Sequence, residues 1–187
     1  MIGRKRLRPT GFGLVLVRSA AVATLFFAAS CANRAAETPG AASNALYDAV
    51  AARLAIMPDV ARWKYANDRP VEDLAREEAV TAAFVMRAVE AGLDRTDAER
   101  IISAQMDAAK RVQAALIADW SRDGAVVADP PDLVAALRPR IDAANDQLVA
   151  AAVGGCLTAT QRSRPPSQLA AFPAAWRAAA APFEACN

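Results

Sequence analysis

The chain has 187 residues, 22 basic and 20 acidic, with aromatic residues at 6%. It contains no histidine, which removes the commonest general base, the usual metal ligand and every Ser-His-Asp or Cys-His arrangement. Any chemistry must therefore run on carboxylates, cations, hydroxyls or amides, and a reaction needing only orientation and charge stabilisation suits that inventory best.

Residues 1–31 read as an export signal. Arg4, Lys5, Arg6 and Arg8 form a basic start, and an apolar stretch broken by Arg18 resumes at Ala20 and runs to Phe27. That run is too short for an ordinary membrane span, which needs about 20 apolar residues. Two endings stand. Ala29-Ser30-Cys31 resembles the end of a bacterial lipobox, with Cys31 as a lipid anchor, although Ala28 occupies a place where leucine is usual. Alternatively, a signal peptidase cuts after Ala29 or after a small residue beyond Cys31. A buried N-terminal helix is a third reading of the segment. The five cations before Cys31 leave 17 basic against 20 acidic residues in the remainder, with no basic stripe for nucleic acid.

Residues 32–43 are small and polar and read as a flexible tether, leaving one domain over residues 44–187. Helical periodicity begins near Ser43 with Leu46, Val50, Leu54, Val60 and Trp63, and Pro58 is expected to kink this helix without ending it. A second helix is expected from Glu72 or Asp73 to about Glu90, closed by Ala91-Gly92 in a left-handed cap. Thr96-Asp97-Ala98-Glu99 has the spacing of a capping box and opens a third helix carrying Ile101, Ile102, Met106, Val112, Leu116 and Trp120. After a loop over residues 124–131, a fourth helix runs from Asp132 to about Val153, and a last one from about Ser167 to Glu184. No strand pattern appears, so the fold class is all-α: a single-domain bundle of about five to six helices. Cys156 and Cys186 bracket the last segment. A disulfide there would close a loop of about 30 residues, contributing roughly 3–4 kcal/mol on the loop-entropy model. Two buried thiols are the other reading, and an oxidising compartment favours the disulfide.

The chemistry concentrates in Lys64 and the stretch Pro70-Val71-Glu72-Asp73-Leu74-Ala75-Arg76-Glu77. Asp73, Arg76 and Glu77 stand at i, i+3 and i+4 and crowd one helical face. Arg53 and Lys64 are eleven residues apart, three helical turns, so they too share a face. A solvated charged face is the ordinary reading of such residues. Against it, Trp63 flanks Lys64 and apolar positions surround Arg53, which puts these cations on the bundle side.

At these residues the sequence resembles the all-helical chorismate mutases (type II), and particularly their exported subclass. The likeness runs through Arg53-Leu54, Val60-Ala61-Arg62-Trp63-Lys64 and Arg69 to Glu77. It continues through Gln105 to Gln113 and through Leu137-Arg138-Pro139-Arg140-Ile141-Asp142. The cysteine pair enclosing a helix also matches the exported subclass.

The resemblance implies an isomerase that converts chorismate to prephenate, a pericyclic step without proton transfer, cofactor or metal. By similarity, Arg53 and Arg76 pair with substrate carboxylates and Arg138 adds a cationic contact. Lys64 and Gln113 donate to the ether oxygen, and Glu77, with Asp73, receives the substrate hydroxyl. Lys64, Gln113, Arg76 and Glu77 are the implied catalytic set. Ala109 stands where the family often has Ser, Thr or Asn, so one polar contact to a carboxylate is missing. Val80 stands where some exported members carry a glutamine. A homodimer with each site inside one chain, in the periplasm or secreted, completes the expectation. Two alternatives remain: an isochorismate-pyruvate lyase on the same scaffold, and a non-catalytic exported helical binding protein.

Overall fold

The computed structural model describes residues 39–183 and Ala185. The segment read as an export signal with Cys31, the first part of the expected tether and Cys186 lie outside the described residues. The helices are α1 (Pro39–Ala55), α2 (Met57–Ala66), α3 (Leu74–Glu90), α4 (Arg95–Asp123), α5 (Arg138–Ala152), α6 (Ala159–Ser163) and α7 (Pro173–Ala180). A π-helical turn, Leu133–Leu137, leads into α5, and a 3-10 turn, Ser167–Leu169, precedes α7. Among the described residues there is no strand, and one isolated parallel bridge joins Leu157 to Ala185.

Local chemistry accounts for each boundary. Pro58 has no N–H to offer the Leu54 carbonyl, and its ring crowds that carbonyl, so the first helical run is divided at Ile56. Ile56 keeps right-handed angles (φ −80°, ψ −23°), and its carbonyl accepts from Val60 N at 3.2 Å. The interruption is one residue long. Asp73 caps α3 by accepting from Arg76 N at 3.1 Å, and Glu77 Oε1 accepts in return from Asp73 N at 3.3 Å. Gly92 (φ 103°) follows α3 and Gly124 (φ 62°) ends α4, both in the left-handed region where a Cβ is strained.

Four expectations are corrected. α1 begins at Pro39, so residues 39–43 belong to it and not to a tether; Ser43 is buried and donates through Oγ to Gln161. The helix after Gly92 starts at Arg95, capped by Asp94, whose carboxylate accepts from Thr96 N at 2.8 Å and Asp97 N at 3.4 Å. The carboxylate two residues earlier thus outcompetes the Thr96–Glu99 box. The last expected helix is split, because Pro173 belongs in a first helical turn and Pro182 follows α7. Finally α6 had not been anticipated; Thr158 and Gln161 form a true capping box there, which helps bring the helical segments above the five or six expected.

The long α4 is central, packing against α2, α3 and α7, while α1 lies along α5. Leu54, Phe84, Ile102, Leu148 and Trp176 are fully buried in this core. Each large apolar side chain withdrawn from water contributes about 1.5–3 kcal/mol. α2 and α3 pack on α4, and α5 packs on α1 and α3, which brings the end of α1, the length of α2 and the starts of α3 and α5 near the middle of α4.

Candidate active site

Helical spacing sends four sets of side chains into one cavity of about 110 Å³. Arg53 ends α1; Met57, Val60 and Lys64 follow on α2 at steps of three or four. Asp73, Arg76, Glu77 and Val80 enter from the start of α3, and Met106, Ala109, Lys110 and Gln113 from α4. Arg138 and Ile141 come from the first turns of α5, with Leu133 and Val71 from the connections. All eight residues singled out from the sequence, Arg53, Lys64, Asp73, Arg76, Glu77, Ala109, Gln113 and Arg138, line this one cavity. Five cations and two carboxylates face it, so it is strongly positive.

Arg53 is the extreme case. It is 1% exposed, and burial pushes its pKa down to about 10. Its partners are neutral: Nε donates to Asn145 Oδ1 at 2.9 Å, Nη1 to the Gln105 carbonyl at 2.9 Å, and Nη2 lies 3.6 Å from the Met106 sulfur. No carboxylate among the described residues forms an ion pair with it. A buried cation without a counter-charge costs several kcal/mol, and a bound anion would offset that cost.

Lys64 is half-buried and its Nζ donates to the Val71 carbonyl. Burial lowers its pKa from the ordinary lysine value, Asp73 and Glu77 pull it back up, and Lys110 pushes it down. Gln113 is 5% exposed, with Nε2 3.5 Å from the Met57 sulfur and Oε1 buried without a partner among the described residues. An amide so poorly satisfied inside a protein calls for a ligand. Arg76 reaches Asp142 at 3.5 Å across the gap between α3 and α5. Arg138 is half-buried. Ala109 is buried in the lining and offers the cavity only a methyl group.

Two polar residues here were not assigned from the sequence. Lys110 pairs with Glu77 Oε2 at 3.0 Å and with Glu72 at 3.8 Å, and the Glu77 hydrogen bond raises its pKa. Its position three residues before Gln113, on the same face of α4, was the available signal. Asn145, which holds Arg53, lies seven residues after Arg138 and shares its face of α5.

The chain is similar to known proteins in sequence and in fold. The chorismate mutase type II family matches residues 41–114, the stretch from α1 to the Gln113 turn of α4. A monofunctional chorismate mutase from Enterobacter agglomerans is 37% identical over 89 residues, 46% of this chain and 47% of that protein. A secreted chorismate mutase from Yersinia pestis is 38% identical over 68 residues, 36% of this chain and 37% of that one. These matches therefore span about half or less of the curated relatives' length. The crystal structure of chorismate mutase from Burkholderia thailandensis superposes with a TM-score of 0.59 at 31% identity, covering 75% of this chain and 93% of that one. With likeness in sequence and fold over nearly the whole of that structure, the chain belongs to the chorismate mutase type II family.

Proposed function

We propose that the protein is an exported chorismate mutase, an isomerase that rearranges chorismate to prephenate. The observation that carries this reading is the buried Arg53 guanidinium, without a carboxylate partner among the described residues, in a cavity lined by five cations. Chorismate is a dianion, and its two carboxylates supply the charge this cavity lacks. The reaction breaks the ether C–O bond as a C–C bond forms, with no proton transfer and no covalent intermediate. Catalysis then consists of holding the compact diaxial conformer and stabilising negative charge that develops on the ether oxygen.

In this reading Arg53 and Arg76 receive the carboxylates through their planar forks, and Arg138 adds charge at the same end. Lys64 and Gln113 donate to the ether oxygen, the contact that strengthens in the transition state. The weak present partner of Gln113 Nε2, a sulfur at 3.5 Å, leaves that amide available. Glu77, with Asp73, accepts the substrate hydroxyl, and Lys110 keeps the Glu77 carboxylate in place from its other oxygen.

Export through residues 1–31 agrees with the secreted Yersinia relative. The periplasm, a lipid on Cys31 and a homodimer are the finer forms of that proposal. The Cys156–Cys186 disulfide belongs with them, supported by the bridge that brings Leu157 beside Ala185.

The test is to recover the processed chain from an oxidising compartment, add chorismate, follow its ultraviolet absorbance and identify the product. Prephenate is the expected product. Folded protein that leaves chorismate untouched overturns the reading, and release of pyruvate with salicylate from isochorismate would assign the chain to the lyase instead.

A further inference from the structure

The face of α5 that brings Arg138 and Ile141 to the cavity continues one turn to Asn145, which is completely buried. Its Oδ1 accepts from Arg53 Nε at 2.9 Å, while its Nδ2 is buried with no partner among the described residues. The orientation is dictated by the arginine, because the reverse one would set two donors against each other. An unsatisfied buried donor lowers stability. Aspartate would fit nearly the same volume, accept the same bond and bring an opposite charge to the guanidinium, while setting a second carboxylate oxygen where Nδ2 now lies buried. The chain thus carries the uncharged one of two near-isosteric side chains beside a buried cation.

What the neutral side chain preserves is the charge on Arg53. A guanidinium has five N–H donors. Three of them meet Asn145, the Gln105 carbonyl and the Met106 sulfur, none of which is charged. Two remain for a ligand, and the full positive charge remains with them. A carboxylate at position 145 would neutralise that charge within the protein, and an incoming dianion would meet an ion pair in place of a cation.

We propose that Asn145 is a positioning residue for Arg53, fixing its guanidinium through Nε while leaving its charge unneutralised for a substrate carboxylate. This rests on the reading of the cavity as the chorismate site. Asn145→Asp separates the electrostatic role from packing. The expected result is a KM for chorismate raised about tenfold or more with a kcat within about twofold of the parent. A merely structural amide would leave KM unmoved whatever the change in melting temperature, and that result overturns the inference. In a second variant, Asn145→Leu, the acceptor is lost altogether, so both melting temperature and affinity are expected to fall; unchanged KM there also overturns it. The parent assayed alongside distinguishes the failures. An active parent with unmoved KM in Asn145→Asp sinks this inference alone, whereas an inactive parent sinks the functional reading and this inference with it.

Discussion

Two glutamines in this chain receive opposite treatment. Gln161, at the start of α6, uses both ends of its amide: Oε1 accepts from Thr158 N at 2.9 Å and from Ser43 Oγ, and Nε2 donates to Asn44 Oδ1 at 3.1 Å. The Gln161 main-chain carbonyl accepts from Trp176 Nε1 at 2.8 Å. Gln113 in the cavity has a sulfur for a partner and a stranded oxygen. Around Gln161 the polar atoms join α1, α6 and α7 to one another. Around Gln113 they are left without good partners, next to a buried arginine whose partners are neutral. The same residue type serves stability in one region and ligand binding in the other. Removing polar groups should therefore cost stability at the first and turnover at the second.

The largest effect is expected from Lys64→Ala. Loss of a donor whose bond strengthens in the transition state should lower kcat about 10²–10³-fold. Its melting temperature should change little, because relief of the burial that disfavours the Lys64 ammonium offsets the lost bond to the Val71 carbonyl. Steady-state kinetics and a thermal scan together check this, and unchanged kcat in the folded variant would sink the mechanism. The other region should answer in the opposite sense. Reducing the proposed Cys156–Cys186 bond removes a loop constraint of about 3 kcal/mol, roughly 10 °C in melting temperature, with little change in kcat/KM. Equal melting of reduced and oxidised protein would contradict the pairing. A smaller loss, about 1–3 kcal/mol, is expected for Gln161→Ala, which strands the buried Ser43 hydroxyl and the Thr158 N–H. If Gln161→Ala instead lost turnover at full stability, the division between the two regions would fail.

The cavity was more legible in the sequence than the Gln161 region, for a physical reason. Asp73, Arg76 and Glu77 lie within one helical turn, and Arg53 and Lys64 are three turns apart on one face, so local geometry alone groups them. Family resemblance then joined those faces to Gln113 and Arg138, and all of them line one cavity. Asn145 escaped because its role depends on α5 lying against α1, a contact that no local pattern announces. Lys110 escaped because a lysine on a long, charged helix reads as solvated until its helix is seen facing Glu77. Away from the cavity, Thr96-x-x-Glu99 at the start of α4 promised a cap, and the box lay instead at Thr158-x-x-Gln161. Two sites matched a short motif, and tertiary packing with a stronger competitor, Asp94, decided between them.

The smallest effects expected are in the pH dependence, where the cavity should part from a purely structural cap. Burial holds the Lys64 pKa below the ordinary lysine value, with that of Arg53 about 10, so the unfolded chain binds these protons more tightly than the fold does. Their charges destabilise the free protein at neutral pH, and this penalty lifts as pH rises from the folded pKa of each towards its unfolded value. Substrate binding runs the other way, because a dianion favours the protonated ammonium and guanidinium. The alkaline limb of kcat/KM should therefore fall at a pH below 10.5, and that of kcat at a higher pH, since bound substrate raises the Lys64 pKa. At the start of α4, Asp94 has the opposite sign. Backbone N–H groups of Thr96 and Asp97 hold its pKa below the usual aspartate value, so its stabilising contribution is present at neutral pH. That contribution is lost as pH falls through the depressed folded pKa. Asp94→Asn should flatten the acid side of the melting profile while leaving the alkaline limb of kcat/KM where it was. An Asp94→Asn variant with a shifted alkaline limb would show that this cap is coupled to the cavity.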